Sequence, residues 1–230
     1  VKARPAQGIA IRKVPVETRF DILTKFGAGK KTAINFPGES SGIVPPIQSW
    51  DNIKKYVSMF GQGFSVTPIQ SAMMYQTIAN GGVRLQPRLV EGCEDTKGNF
   101  VATPKQPGVQ AISPTTARTT IDMLEKVVEQ GGIGKHAAVP GYRVAGKTGT
   151  AQIIDEATGR YGYLHAISFI GMAPADNPEY VVAVTAFKSR TVSNSLGATP
   201  IFKAIMQQVL RTYRVPPSTT KSANIATEWK

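Results

Sequence analysis

The sequence predicts an α/β chain of the α+β kind, an antiparallel sheet flanked by helices. Three observations lead there. Three segments open on Ser or Thr followed by Pro and close on Gly or Pro, the punctuation of helices. Between the second and third of these the apolar pattern changes from a helical period to short runs rich in β-branched and aromatic residues. And 230 residues, 41% hydrophobic and 18% charged, are enough to bury one large core.

The elements follow in chain order. The first 50 residues are mostly irregular, although "VETRFDILTKFGAG" reads as a short amphipathic helix stopped by Gly27 and Gly29. "NFPGESSGIVPP" is a Gly/Pro/Ser loop. In "VTPIQSAMMYQTIANGG", Thr67 stands as N-cap and Pro68 at the first helical position, where its missing N–H costs nothing. Gln70 completes a capping box, and Gly81 and Gly82 stop the helix. "ISPTTARTTIDMLEKVVEQGG" repeats the pattern with Ser113, Pro114 and Gly131–Gly132, and puts Ile121, Leu124, Val127 and Val128 on one apolar face. "GATPIFKAIMQQVLRTYRVPP" repeats it with Thr199 and Pro200. Ile201, Ile205, Val209 and Leu210 are expected to face inward, and Pro216–Pro217 bar continuation. "YRVAGKTGTAQII", "AISFIGMAP" and "YVVAVTAF" read as strands, the last two forming a hairpin at about 166–173 and 180–187, with "DEATGRYGY" as the loop before it. From Pro216 the Ser/Thr/Pro-rich composition predicts a flexible tail over 216–230.

Composition narrows the function. The formal net charge of +12 favours acidic partners, but the basic residues are scattered in pairs such as Arg12–Lys13, Lys30–Lys31 and Lys54–Lys55, so a solvated basic surface is expected and no nucleic acid. The sequence holds no run of about 18 apolar residues, the length a helix needs to span a bilayer. Cys93 is the only cysteine and His136 and His165 the only histidines, which leaves no intrachain disulfide and no Cys- or His-rich metal site. No cofactor is expected.

"GYRVAGKTGT", Gly141 to Thr150, fits two motifs that share one lysine. From Gly141 it matches the phosphate-cradling pattern G-x-x-x-x-G-K-[ST]. That loop works at a helix N-terminus behind a buried strand. Here "GGIGKHAAVP" precedes it, "TAQII" follows it, and no apolar strand ends in an Asp for Mg²⁺, so nucleotide binding is the weaker alternative. From Lys147 it is Lys-Thr-Gly, a tripeptide found on a sheet strand beside a serine acyl-transfer site. Val144, Thr150 and "AQII" suit a strand, and Gly149 would let a substrate backbone approach closely.

Five ordered segments extend the second reading: "KFGAGKKTAINFPGESSGIVP", "GQGFSVTPIQSAMMYQTIANGG", "GVQAISPTTARTTIDMLEKVVEQGG", "VPGYRVAGKTGTAQ" and "SFIGMAPADNPEYVVAV". Together, over roughly residues 8 to 217, they resemble the transpeptidase domain of class B penicillin-binding proteins, especially the septal, division-associated type, with the fold shared by serine β-lactamases. The resemblance implies a peptidoglycan D,D-transpeptidase. A serine attacks the peptide bond before a terminal D-Ala, an amine of a second stem peptide resolves the acyl-enzyme, and β-lactam antibiotics acylate the same serine. It implies that Lys147 supplies positive charge and moves protons, and that Thr148 and Thr150 offer hydroxyls to the substrate carboxylate. It also implies that the Thr150 backbone N–H is an oxyanion donor. Lys147 to Gln152, Gly149 included, would pair with the substrate as an added strand. Ile154 to Tyr163 would form a loop rimming the cleft. Further implications are division-complex membrane proteins as partners and a place on the outer face of the cell membrane, held by an anchor outside this chain.

The sequence departs from the family pattern in one respect. Ser-x-x-Lys, which carries the nucleophile and its base, and Ser-x-Asn both belong upstream of Lys-Thr-Gly, and neither occurs before Lys147. The tail does contain Ser218-x-x-Lys221 and Ser222-x-Asn224, but run together and behind Pro216–Pro217. In the family Ser-x-x-Lys opens a buried helix, with Lys one turn from Ser. The expectation is therefore the C-terminal part of a transpeptidase domain over 1–215, with the nucleophilic serine not in its expected place. A non-catalytic module that binds wall peptides or partner proteins is the alternative.

Overall fold

The computed structural model describes residues 14–188 and 194–225. Its centre is a three-stranded antiparallel sheet of β5 (Ala145–Ile154), β6 (Tyr161–Ala173) and β7 (Tyr180–Ala186), in that spatial order. Before it come helices α1 (Val16–Lys25), α2 (Asn52–Val57), α3 (Pro68–Ala79) and α4 (Pro114–Val128). Between α3 and α4 the chain forms two small ribbons, β1 (Val83–Arg84) with β4 (Val109–Gln110), and β2 (Gly92–Glu94) with β3 (Phe100–Ala102). Helix α5 (Ala198–Thr212) follows the sheet. Strands of two or three residues are too short to show a period, and neither ribbon is legible in the sequence.

The period-2 pleat sends alternate residues of the sheet to two cores. Val144, Phe169 and Ala173 meet Phe202, Met206 and Leu210 of α5 on one face. Phe169 and Phe202 are wholly buried, their rings edge-on with centroids 4.7 Å apart. On the other face Ala145 and Met172 pack with Ile121 of α4 and with Tyr75 and Ile78 of α3. Truncating one such phenylalanine to alanine costs about 3–5 kcal/mol, so the sheet and α5 stand or fall together.

The N-termini of α3 and α4 are built as their sequences demand. Thr67 Oγ1 accepts from Gln70 N at 3.2 Å while Gln70 Oε1 accepts from Thr67 N at 2.7 Å, closing the capping box. Ser113 Oγ accepts from Thr116 N at 3.1 Å, with Pro114 first in the helix. Gly27 and Gly29, just past α1, have φ of 92° and 77°, values that only glycine adopts without strain.

Helix α5 differs from expectation in two ways. It starts at Ala198, and Thr199 lies inside it, fully buried, donating its hydroxyl to Leu196 O at 2.7 Å instead of capping. Pro200 then falls among the first helical N–H groups that lack an intrahelical partner, where it does no harm. The inward stripe is Ala198, Phe202, Met206 and Leu210, whereas Ile201 and Ile205 are exposed. Two adjacent apolar stripes run along this helix, and the larger aromatic one faces the sheet.

The expected loop from Ile154 to Tyr163 is shorter. β5 runs through Ile154 and β6 begins at Tyr161, so the strands extend past β7 as a protruding hairpin. Asp155 closes its tip: Oδ1 accepts from Ala157 N and Thr158 N, both at 3.0 Å, and Gly159 takes φ 65°. A register shift between Gln152 and Ile154 marks a bulge at its base.

Residues 216–225 form no helix or strand, yet they are tied to the body. Val215 is buried in the α5 core, and Ser218 N donates to Gly141 O at 3.0 Å. Residues 226–230 of the expected tail lie outside the described residues.

Candidate active site

Strand β5 brings Lys147, Thr148, Gly149, Thr150 and Gln152 together along one sheet edge. It pairs with β6 on one side only among the described residues, so the other side is open to an extended ligand. The register sets Lys147 opposite Ile170, Gly149 opposite Ser168, and Thr148 and Thr150 opposite Phe169 and Ile167. Lys147 and Gly149 therefore share the face of Ala145 and Met172. Helices α3 and α4 cover that face at its Ala145 end, while Lys147 is exposed.

The two glycines have different physical reasons. A Cβ on Gly146 would lie 2.6 Å from Phe169 Cζ and 2.8 Å from the Ile170 carbonyl, so glycine lets β5 settle on the aromatic core. A Cβ on Gly149 would lie 2.5 Å from Ser168 Oγ. Gly149 thus makes room for a hydroxyl on the neighbouring strand, on the same face as Lys147. Nothing in the sequence singles out Ser168 for this place.

The lysine head turns back along its own strand. Nζ donates to Thr148 O at 3.0 Å and to Thr148 Oγ1 at 3.3 Å. Lys147 stays exposed as a residue, but the groups around Nζ desolvate the ammonium in part, which lowers its pKa from the usual lysine value. Thr148 is only 8% exposed, on the face of Phe169, and its hydroxyl oxygen accepts from Lys147 Nζ. Thr150 and Gln152 are exposed further along, Gln152 opposite His165. A cationic lysine with a hydroxyl beside it on an open strand edge can hold a carboxylate and pair with a peptide backbone.

The phosphate-loop alternative fails on this geometry. Gly141 to Val144 form a turn and an irregular lead-in, and Lys147 and Thr148 lie inside a strand with no helix after them. The backbone N–H groups that would wrap a phosphate are absent from this arrangement.

The start of β5 is braced by groups that sequence reasoning missed. Arg143 Nε and Nη2 donate to Glu125 Oε1 and Oε2 at 2.8 and 2.6 Å, a bidentate pair whose carboxylate side chain is 3% exposed. That pair raises the Arg143 pKa, against burial. Arg118 joins the cluster through Asp122 and donates Nη1 to Ala175 O at 2.8 Å. Ser218, the serine of the tail's Ser-x-x-Lys, is occupied: its Oγ accepts from Arg143 N at 3.0 Å and donates to Asp176 Oδ1 at 2.8 Å. Among the described residues no three His, Cys, Asp or Glu gather to hold a metal ion. Two other concavities, one lined by Met73, Gln76 and Val181 and one by Phe36, Glu39 and Leu89, contain no residue of β5.

Comparison with known proteins places these features in a family context. The sequence profile for the penicillin binding protein transpeptidase domain matches residues 4–207. Penicillin-binding protein PbpB of Mycolicibacterium smegmatis is 41% identical over 217 residues, 90% of this chain and 34% of that protein. Peptidoglycan D,D-transpeptidase FtsI of Escherichia coli is 34% identical over 206 residues, 89% of this chain and 33% of its own length. The chain thus spans about a third of these relatives. Among solved structures, penicillin binding protein 3 of Mycobacterium tuberculosis complexed with aztreonam superposes with a TM-score of 0.86 at 37% identity, covering 92% of this chain and 50% of that one. Its complex with ampicillin gives 0.85 at 36% identity, over 94% and 50%.

Proposed function

This chain belongs to the penicillin-binding protein transpeptidase domain family, and we propose that it supplies the Lys-Thr-Gly wall of a peptidoglycan D,D-transpeptidase cleft. The serine nucleophile of the reaction lies on a Ser-x-x-Lys segment outside these 230 residues. The observation that carries this reading is the open edge of β5, with the partly desolvated Lys147 ammonium held at the Thr148 hydroxyl.

A stem peptide ending in D-Ala-D-Ala lies against β5 as an added strand from Lys147 to Gln152, and its terminal carboxylate is met by Lys147 and by the hydroxyls of Thr148 and Thr150. Gly149 lets its backbone come close. The serine hydroxyl gives up its proton to the lysine of Ser-x-x-Lys, which later returns it to the leaving amine, and the serine oxygen attacks the carbonyl carbon of the penultimate D-Ala. The Thr150 N–H stabilises the oxyanion. The C–N bond breaks, terminal D-Ala leaves with a proton on its amine, and an acyl-serine ester remains. An amine of a second stem peptide attacks that ester, forming the cross-link and restoring the serine. A β-lactam enters the same sequence: its ring amide opens onto the serine. Partial desolvation lowers the Lys147 pKa from the usual lysine value, which makes its ammonium a readier proton donor. The protein acts on the outer face of the cell membrane among division proteins.

The test is fluorescent penicillin labelling of a protein that joins this chain to its Ser-x-x-Lys segment. Labelling is expected, and Lys147→Ala is expected to slow it about a hundredfold or more. Labelling that is indifferent to Lys147 would refute the role given to β5.

A further inference from the structure

We propose that residues 218–220 are a clamp that positions strand β5, so that the C-terminal segment is a positioning element for the Lys147–Thr150 wall. The profile match ends at residue 207, before this segment begins. Leaving α5, the chain crosses the start of β5 and is bonded to it from both sides. Tyr142 donates its hydroxyl to Val215 O at 2.6 Å, and Ser218 N donates to Gly141 O at 3.0 Å. Arg143 N donates to Ser218 Oγ at 3.0 Å, and Arg143 Nη1 to Thr220 Oγ1 at 2.7 Å. Ser218 and Thr220 in turn donate to Asp176 Oδ1 and Oδ2 at 2.8 and 3.0 Å. The Arg143 carbonyl accepts from Ala175 N at 2.8 Å. One short segment therefore links the lead-in of β5 to the turn between β6 and β7.

Arg143 stands four residues before Lys147, about 13 Å along an extended strand. Its guanidinium is held on the far side by Glu125 of α4. Two hydroxyls, two carboxylates and one guanidinium thus fix the end of the strand whose other side is open at Lys147. The Ser/Thr-rich composition, which imitates two catalytic motifs, serves this hydrogen bonding.

The first arm of the test is hydrogen exchange on the 230-residue chain and uses no assumption about activity. In Ser218→Ala/Thr220→Val the amides of 144–150 are expected to exchange about tenfold faster, since hydrogen bonds to charged groups are lost, while those of 201–210 hold. Thr220→Val alone removes an exposed group and gives a smaller change in the same direction, and Ser218→Thr, which keeps a hydroxyl, restores protection. The second arm rests on the function proposed above: in the protein that carries Ser-x-x-Lys, the double variant is acylated by penicillin several-fold more slowly, and Ser218→Thr recovers the rate. Unchanged exchange at 144–150, or faster exchange with an unchanged acylation rate, overturns the clamp. If the parent protein takes no penicillin at all, the proposed function fails, and the exchange arm still decides the clamp.

Discussion

Glu125→Ala is the substitution with the most to say about this fold. The carboxylate side chain is 3% exposed, the Arg143 side chain facing it 14%, and the two share a bidentate pair at 2.8 and 2.6 Å. Breaking a buried pair by removing one partner costs about 3–5 kcal/mol, because the remaining charge is left desolvated. Arg143 keeps Thr220 Oγ1, and Asp122 and Asp176 remain nearby with opposite charge. The lower end of the range is therefore expected, about 3 kcal/mol. For a domain of this size that corresponds to a fall in Tm of about 6–12 °C. Urea denaturation followed by circular dichroism at neutral pH measures it. Glu125→Met/Arg143→Met, which replaces the pair by apolar groups of similar volume, is expected to recover at least half of the loss. A Glu125→Ala variant within about 1 kcal/mol of the parent would refute the reasoning. So would a double variant as unstable as the single one.

Further outcomes are expected. Gly146→Ala should cost about 1–3 kcal/mol or more, because its Cβ meets the Phe169 ring and the Ile170 carbonyl. Gly149→Ala meets only the Ser168 hydroxyl, which can rotate, and Gly149→Ala/Ser168→Ala should regain parental stability in the same urea titration. Thr67→Ala opens the capping box of α3 and should cost about 1 kcal/mol by the same measurement. Lys147→Met should keep or raise the Tm at neutral pH. Burial lowers the Lys147 pKa, so the unfolded chain binds its proton more readily. The charged lysine thus subtracts stability at neutral pH, a loss that fades as pH rises through the folded and then the unfolded value. Asp176 has the opposite sign. Burial pushes its pKa up, but the Ser218 and Thr220 hydroxyls and Arg143 outweigh this and hold it below the ordinary 3.8. Its contribution is present above 3.8 and lost as pH falls through the depressed folded value. Thermal melts across that acid window should show the loss in the parent and less of it in Asp176→Asn.

What was legible in the sequence was local. The capping box of Thr67 and Gln70 and the cap at Ser113 need only four neighbouring residues, and each formed as read. Lys-Thr-Gly is local too, and the flanking residues sufficed to place it on a strand. Helix α5 was readable as a helix but not in its rotation. Ile201 and Ile205 make one apolar stripe and Phe202, Met206 and Leu210 the next, and only the sheet decides which is buried. The hairpin hid its length because "DEATGRYGY" has loop composition, whereas Asp155 turns the chain within a few residues. The brace on β5 was out of reach for another reason. Ser218 finds Asp176 at a separation of 42 residues and Arg143 at 75, and Arg143 finds Glu125 at 18. No spacing rule joins such groups, since their proximity is a product of the folded sheet.

The central claim, that these residues form one wall of a penicillin-reactive cleft whose serine lies elsewhere in the protein, is tested most directly by intact-mass and peptide mass spectrometry after incubation with benzylpenicillin. The 230-residue chain is expected to gain no adduct. The protein that also carries a Ser-x-x-Lys segment is expected to gain one penicilloyl group, on the serine of that segment. An adduct on any serine of the 230 residues, Ser218 included, would contradict the account, as would an extended protein that stays unmodified.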